Sequence, residues 1–298
     1  LMVMVGMAFK LSAVPFHFWA PDVFEGATAE VAAFLSIASK AAAIALLVRL
    51  TFGLGYLETT LSAVLDPARH YMVGLIGLLA VITCTFGNLA AYGQTNMKRL
   101  LAYSTIAHAG YMMLAVAAAV ELLGQPVTGP IQAQWAVAAI GFYLAIYLFM
   151  NLGAFAVVAF LRDALGSEEI DDYAGLIRRS PGLTISMAII LFSLIGLPPL
   201  AGFAAKFTIF YALYDAQLLT LLAIGVLNTV LSLFYYLRVV KVMTFEPEPD
   251  GRPATAAVPL SSAPGVYCLL LTAPVLILGV GWNFLFEWAK LAASMLSQ

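Results

Sequence analysis

Apolar runs of about 20 residues recur along the whole chain, separated only by short polar turns. At about 1.5 Å of rise per residue, each run matches the hydrocarbon thickness that one helix must cross. In lipid only helices or closed barrels satisfy every backbone N–H and C=O, and these runs lack a barrel strand's alternation of apolar and polar residues. The expected fold class is therefore an all-α polytopic membrane protein. Charge is sparse: 10% of residues are Asp, Glu, Lys or Arg, against roughly one-quarter in a soluble domain. A formal net charge of -2 supplies no basic field for nucleic acid. Cys84 and Cys268 fall in mid-run and read as buried small apolar residues, not as a disulfide or metal pair.

Along the chain, residues 1–14 are apolar and carry Lys10. Pro15 and Pro21 then remove backbone donors and interrupt the helix, and a short second piece through Gly26 completes the first crossing. Residues 29–50 form a second crossing centred near Lys40. Residues 51–70 read as a loop, with Asp66-Pro67 as a turn signal. A third crossing spans 71–93, the turn Gln94-Thr95-Asn96 follows, and Lys98-Arg99 open a fourth that runs to about 120. Gly124, Pro126, Gly129 and Pro130 mark the next loop, and a fifth crossing covers 134–161. After a polar loop at 162–182, the run 183–214 is too long for one straight crossing and is interrupted at Gly196-Leu197-Pro198-Pro199. Its natural reading is a second discontinuous helix. A seventh crossing at 217–243, a Pro- and Glu-rich loop from 246 to 259, and an eighth crossing ending near Phe286 complete about eight crossings in one domain over 1–298. The chain opens inside an apolar run without a charged leader or cleavage site, so it reads as a piece whose N-terminal part is missing.

Basic residues set the expected orientation. Lys98, Arg99, Arg162, Arg178, Arg179, Arg238, Lys241 and Arg252 fall in alternate loops, whereas Arg49, Arg69 and Lys290 fall on the other side. The first set is expected in the cytoplasm, which places the C-terminus outside.

Three lysines interrupt the apolar runs. Lys40 lies about ten residues, or roughly 15 Å, from either interface, farther than a lysine stem can snorkel. An ammonium at that depth costs roughly 2.5–3.5 kcal/mol and faces a protein interior or a watery cavity. Such a group handles protons or ions, or else pairs structurally with a carboxylate. Lys206 follows the Pro198-Pro199 break by about two turns, and broken helices are tolerated at depth only where they line a cavity or are buried in protein. Lys10 precedes Pro15 by five residues. Two breaks, each near a lysine, suggest structurally repeated halves with sites at the breaks. His108 in the fourth crossing suits a proton relay or a hydrogen-bonded core position. Ser104, Thr105 and Tyr111 stand near it as candidate channel lining, and His17 sits at the first break. Asn88, Asn151 and Asn228 read as interhelical hydrogen-bonding residues. No nucleotide loop, cysteine cluster or nucleophile triad is present, so no metal or cofactor site is expected in this chain.

Three ordered segments carry a family resemblance. They are Phe9-Lys10-Leu11 with the run from Pro15-Phe16-His17-Phe18-Trp19 to Ala27, the run from Lys98 to Tyr111, and Gly196-Leu197-Pro198-Pro199-Leu200-Ala201-Gly202-Phe203 followed by Lys206. Together they resemble the antiporter-like membrane subunits of respiratory complex I over essentially the whole chain. The resemblance implies helices seven to fourteen of a fourteen-helix fold, with seven and twelve broken. It implies proton translocation through Lys10 as the switching lysine, Lys40 as its lateral connection, His108 in a hydrated axis and Lys206 as the terminal lysine. The family's partner for Lys10 is a helix-five glutamate that this sequence does not contain. Tyr173-Ala174-Gly175-Leu176, Arg178-Arg179 and Pro181 resemble one subunit type. Lys206 separates it from the M type, which has a glutamate there, and the end soon after the eighth crossing separates it from the L type. The implied neighbours are K-like and M-like subunits, the lateral helix of the L type and lipids, in a bacterial inner membrane. NADH, FMN, iron–sulfur clusters and quinone would belong to other subunits. A multisubunit cation/proton antiporter, a membrane-bound hydrogenase, or a purely structural arm subunit shares much of this pattern and stays open at this point.

Overall fold

Helix is the state that every apolar run takes. The computed structural model describes residues 2–56, 58–125, 128–248 and 258–295, and among them there is no strand, only an isolated bridge between Asn96 and Glu169. The helices are α1 (Met2–Leu11), α2 (Trp19–Gly26), α3 (Ala29–Phe34), α4 (Lys40–Tyr56), α5 (Glu58–Ala91), α6 (Met97–Leu123) and α7 (Gly129–Leu165). They continue as α8 (Leu176–Arg179), α9 (Pro181–Ile195), α10 (Ala201–Asp215), α11 (Leu219–Phe245), α12 (Ala263–Val280) and α13 (Trp282–Ser294). A π-turn, Leu35–Ser39, joins α3 to α4. Among the described residues, six stretches are long and apolar enough to cross a membrane: Ala29–Gly53, Asp66–Ala91, Met97–Leu123, Gly129–Leu165, Leu219–Phe245 and Ala263–Val280.

The bundle is built around α6, which is buried along nearly its whole length and packs on α2, α4, α5, α7 and α10. Its composition follows from that place. Alanines and glycines let neighbouring backbones approach, which is how helices pack where water supplies no hydrophobic force. At Gly110 a Cβ would stand 2.7 Å from the backbone nitrogen of Cys84 on α5. The helix starts at Asn96, whose side-chain oxygen accepts from the amides of Lys98 at 3.0 Å and Arg99 at 3.2 Å, an N-cap that satisfies two otherwise orphaned donors.

Two pairs of consecutive helices are joined through turns that contain proline. Between α1 and α2 the chain passes through Ser12 in the left-handed region (φ 57°) and through Pro15, and the Val14 amide donates to Thr83 Oγ1 at 3.0 Å. Between α9 and α10 it passes through Gly196 (φ 92°) and Pro198-Pro199, and the Gly202 amide donates to Ser193 Oγ at 2.9 Å. Side-chain hydroxyls thus take over backbone groups that the prolines leave without a helical partner.

Several boundaries differ from the sequence expectation. The expected loop at 51–70 is helical, with α4 reaching Tyr56 and α5 beginning at Glu58 and containing Pro67. Proline's φ of about −65° is helical, and no glycine lies between Glu58 and Asp66 to end the helix. The helix expected to end near Phe286 stops at Val280. After Gly281, α13 packs back on α7 through Phe142, whose ring lies 6.0 Å from Trp282 and 5.5 Å from Phe286. Arg252, Pro126 and most of the expected 246–259 loop lie outside the described residues.

The predominantly basic end of the bundle is knitted together. Arg99 pairs with Asp22 at 2.7 Å and Glu25 at 2.6 Å, Arg179 pairs with Glu248, and Arg238 donates to the carbonyls of Tyr92 at 2.7 Å and Gln94 at 2.5 Å. Within the bundle, Asn88 on α5 donates to Asn228 Oδ1 on α11 at 3.1 Å and accepts from Tyr235 Oη at 3.1 Å. Replacing Asn88 with leucine is expected to cost about 1 kcal/mol, the scale of interhelical polar contacts in membranes. A lowered thermal midpoint in detergent would show it, and an unchanged midpoint would mean that the Asn88 contacts add nothing to what packing and the other hydrogen bonds between α5 and α11 supply.

Candidate functional site

The buried cations share one interior line with a histidine and a set of hydroxyls. Lys40 is 2% exposed, and its Nζ donates to the Thr105 carbonyl of α6 at 2.8 Å. The π-turn immediately before it shifts the helical register, a local feature frequent at functional sites. Beside it, Asn151 Nδ2 on α7 donates to Ser36 Oγ at 3.0 Å. Asn151 Oδ1 and the Tyr147 hydroxyl are buried without hydrogen bonds.

One turn above Thr105, His108 is 2% exposed. Its Nδ1 is 2.6 Å from Tyr143 Oη, and its Nε2 is 3.5 Å from Tyr236 Oη. Tyr236 Oη is 2.5 Å from Ser104 Oγ. Tyr147 stacks on the imidazole at 4.9 Å, and Tyr111 meets it edge-on at 5.9 Å. Tyr111 also meets the next cation: Lys206 Nζ lies 4.6 Å from its ring centroid. Lys206 is 3% exposed, and its Nζ donates to the Ile195 carbonyl at 2.9 Å. Ile195 ends α9, so the helix break frees the acceptor that the lysine takes. The Tyr111 hydroxyl is 3.3 Å from Thr229 Oγ1.

Among the described residues neither Lys40 nor Lys206 has a carboxylate within 4.0 Å. This disfavours the reading of these lysines as halves of structural ion pairs within this chain. An ammonium has three donors, and each lysine makes one hydrogen bond to protein. The arrangement can hold a proton at either amine, and the imidazole and phenols between them can relay it.

The structure brings together Lys40, His108, Lys206, Ser104, Thr105 and Tyr111 from the sequence-derived set. Lys10 is not among them. It is exposed on α1, on a face that also presents Val3, Val5 and Phe9. His17 stands apart as well, its ring edge-on to Phe86 at 4.4 Å and its Nδ1 buried without a hydrogen bond. Tyr143, Tyr147 and Tyr236 are additions that sequence reasoning missed. Their only advance signal is that a phenol inside an apolar helix needs a polar partner. Among the described residues no three His, Cys, Asp or Glu side chains gather as metal ligands would.

Residues 1–232 match the family model described as NADH:quinone oxidoreductase/Mrp antiporter, TM. The chain is 42% identical over 299 aligned positions to NADH-quinone oxidoreductase subunit N 1 of Roseiflexus castenholzii, covering 99% of this chain and 52% of that protein. A chain of respiratory complex I from Thermus thermophilus with bound aureothin is similar in structure, with TM-score 0.73 and 31% identity, over 95% of this chain and 57% of that one. A chain of the Mrp complex from Dietzia sp. shares the fold with TM-score 0.79 at 20% identity, over 98% of this chain and 58% of that one. The chain spans about half the length of the curated relatives it matches. The helix breaks, the interior cations and these matches lead to one assignment: the chain belongs to the NADH:quinone oxidoreductase/Mrp antiporter family of membrane proteins.

Proposed function

We propose that the chain translocates protons in the membrane arm of an NADH–quinone oxidoreductase, as part of a subunit of the N type. The observation that carries this reading is the interior line Lys40–Thr105–His108–Tyr111–Lys206, in which both amines are buried without a carboxylate partner among the described residues. Protons rest on Lys40 and Lys206, and His108 passes them between the two with Tyr143 and Tyr236 as hydrogen-bond partners. Lys10 acts as the switching lysine, its charge partner supplied by another segment of the assembly that covers the exposed face of α1. The pairs α1/α2 and α9/α10 each make one discontinuous crossing, for eight in all. The basic end faces the cytoplasm of a bacterial inner membrane and the C-terminus lies outside. NADH, FMN, iron–sulfur clusters and quinone react in other subunits. K-like and M-like subunits and the L-type lateral helix are the neighbours.

Native electrophoresis of gently solubilised membranes carrying the whole protein tests the assembly. The chain is expected in a very large band that stains for NADH oxidation. A smaller particle without that activity would overturn the reading and favour an antiporter or hydrogenase-type complex. In the same membranes Lys40→Met, which keeps an unbranched stem and removes the charge, is expected to lower NADH-driven proton uptake about tenfold or more with the band intact. Wild-type uptake in that variant would remove Lys40 from the path.

A further inference from the structure

The basic end of the bundle holds a third buried lysine, which the path above does not use. Lys98, in the first turn of α6, is 3% exposed. Its Nζ donates to the Ala27 carbonyl at 2.7 Å and pairs with Glu168 Oε2 at 2.9 Å. Glu168 Oε1 is buried and makes no hydrogen bond, with Arg162 Nε at 3.6 Å. The carboxylate is held in place by its own backbone, since the Glu168 carbonyl accepts the Met97 amide at 2.9 Å. Both partners of the pair line a polar cavity of about 380 Å³, walled also by Glu25, Thr28, Arg162 and Ser167. That space has room for several waters.

The position of Lys98 on α6 is what links this pair to the lysine line. Lys98, Leu101, Thr105 and His108 follow one another at three- and four-residue steps and so share one face of the helix. Thr105 Oγ1 donates to the Leu101 carbonyl at 2.6 Å, and the Thr105 carbonyl holds Lys40. The distance along the axis from Lys98 to Thr105 is about 10 Å. A buried ion pair is weak evidence of a stabilising role, because desolvation offsets much of its attraction. Here the pair stands between a polar cavity and the foot of the lysine line.

We propose that Glu168 is the carboxylate that takes up protons from the basic side, with Lys98 as its positioning residue. A hydronium in the cavity gives its proton to Glu168, leaving water and a neutral carboxylic acid. The acid then releases the proton inward along the α6 face to the Lys40 amine, and the regenerated carboxylate pairs again with Lys98. The other charged groups around it are Arg162, Glu25 and Glu169 in the cavity wall and Glu30 on α3, which lies within electrostatic reach of Arg162 and Lys98.

This inference rests on the proposed function, and the Lys40→Met variant separates the two. If Lys40→Met is impaired and the Glu168 variants are not, only the uptake role fails. The test uses the whole complex in lipid nanodiscs, where no proton gradient can build up. Glu168→Gln is expected to slow NADH–quinone turnover about tenfold, and added formate, a small proton carrier, is expected to restore much of it. Glu168→Asp keeps the carboxylate and is expected to assemble, to turn over more slowly than wild type and to show a larger solvent deuterium isotope effect. Wild-type turnover in Glu168→Gln, or a loss in an assembled complex that formate leaves untouched, would overturn the proposal. If Glu168→Gln fails to assemble, an unchanged isotope effect in Glu168→Asp would overturn it equally.

Discussion

Lys206→Ala is expected to cut NADH-driven proton uptake about tenfold or more while the chain stays in its assembly. The lysine is the last cation of the interior line, held by the Ile195 carbonyl at 2.9 Å and facing the Tyr111 ring at 4.6 Å. In the proposed path the amine is the proton acceptor that His108 and Tyr111 face on the α10 side. The stem matters separately, because Lys206 Cδ would lie 3.1 Å from a Cβ placed on Gly196 and therefore packs against the break itself. Truncation to alanine thus removes both the proposed proton site and packing against Gly196. Lys206→Met divides these effects, since it keeps most of the stem and loses only the charge. Uptake is measured in inverted membrane vesicles with a pH-sensitive dye and normalised to NADH oxidation. Equal losses in both variants would assign the effect to the amine. A loss in Lys206→Ala alone would assign it to packing, and normal uptake in both would remove Lys206 from the path.

What the sequence displayed and what it concealed divide along physical lines. Lys40 and Lys206 were legible because an ammonium at membrane depth is costly wherever it sits, so depth alone marks it. The proline-containing turns after α1 and α9 were legible because proline removes a donor regardless of context. Tyr143, Tyr147 and Tyr236 were not legible. Inside an apolar helix a tyrosine reads as packing, and only the approach of α6, α7 and α11 turns three phenols toward one imidazole. Lys98 was concealed differently. Beside Arg99 it counted as an ordinary loop charge, whereas the fold buries it against Glu168, a residue 70 positions away in sequence. Lys10 is the opposite case: its motif is strong, yet within this chain its side chain points outward and meets none of the other candidates. The expected loop at 51–70 failed because Asp-Pro can begin a turn or sit within a helix, and its neighbours decide which.

Gly202→Ala is expected to damage both the fold at the second break and the proton path. A Cβ at residue 202 would stand 1.8 Å from the Ser193 carbonyl oxygen, and the same residue's amide donates to Ser193 Oγ at 2.9 Å. The obstacle is backbone and cannot swing aside like a side-chain tip. The cost should therefore reach or exceed the upper end of the roughly 1–3 kcal/mol typical of overpacking. Gly279 on α12 also presses on this turn, where a Cβ would lie 2.0 Å from the Pro199 carbonyl oxygen. Lys206 is one turn beyond Gly202 on α10, so any shift of that helix start carries Nζ away from the Ile195 carbonyl. The expected result is a lower melting temperature of the purified complex together with reduced proton uptake. Gly141→Ala serves as the control. Nothing lies within 4 Å of its added Cβ, and alanine is favoured over glycine in a helix by about 1 kcal/mol, so it should be neutral or stabilising. If Gly202→Ala melted and pumped like wild type, α9 and α10 would be free to separate at the break. The placement of Lys206 would then depend on its own hydrogen bond to Ile195 and its contact with Tyr111, and not on the close backbone approach at Gly202.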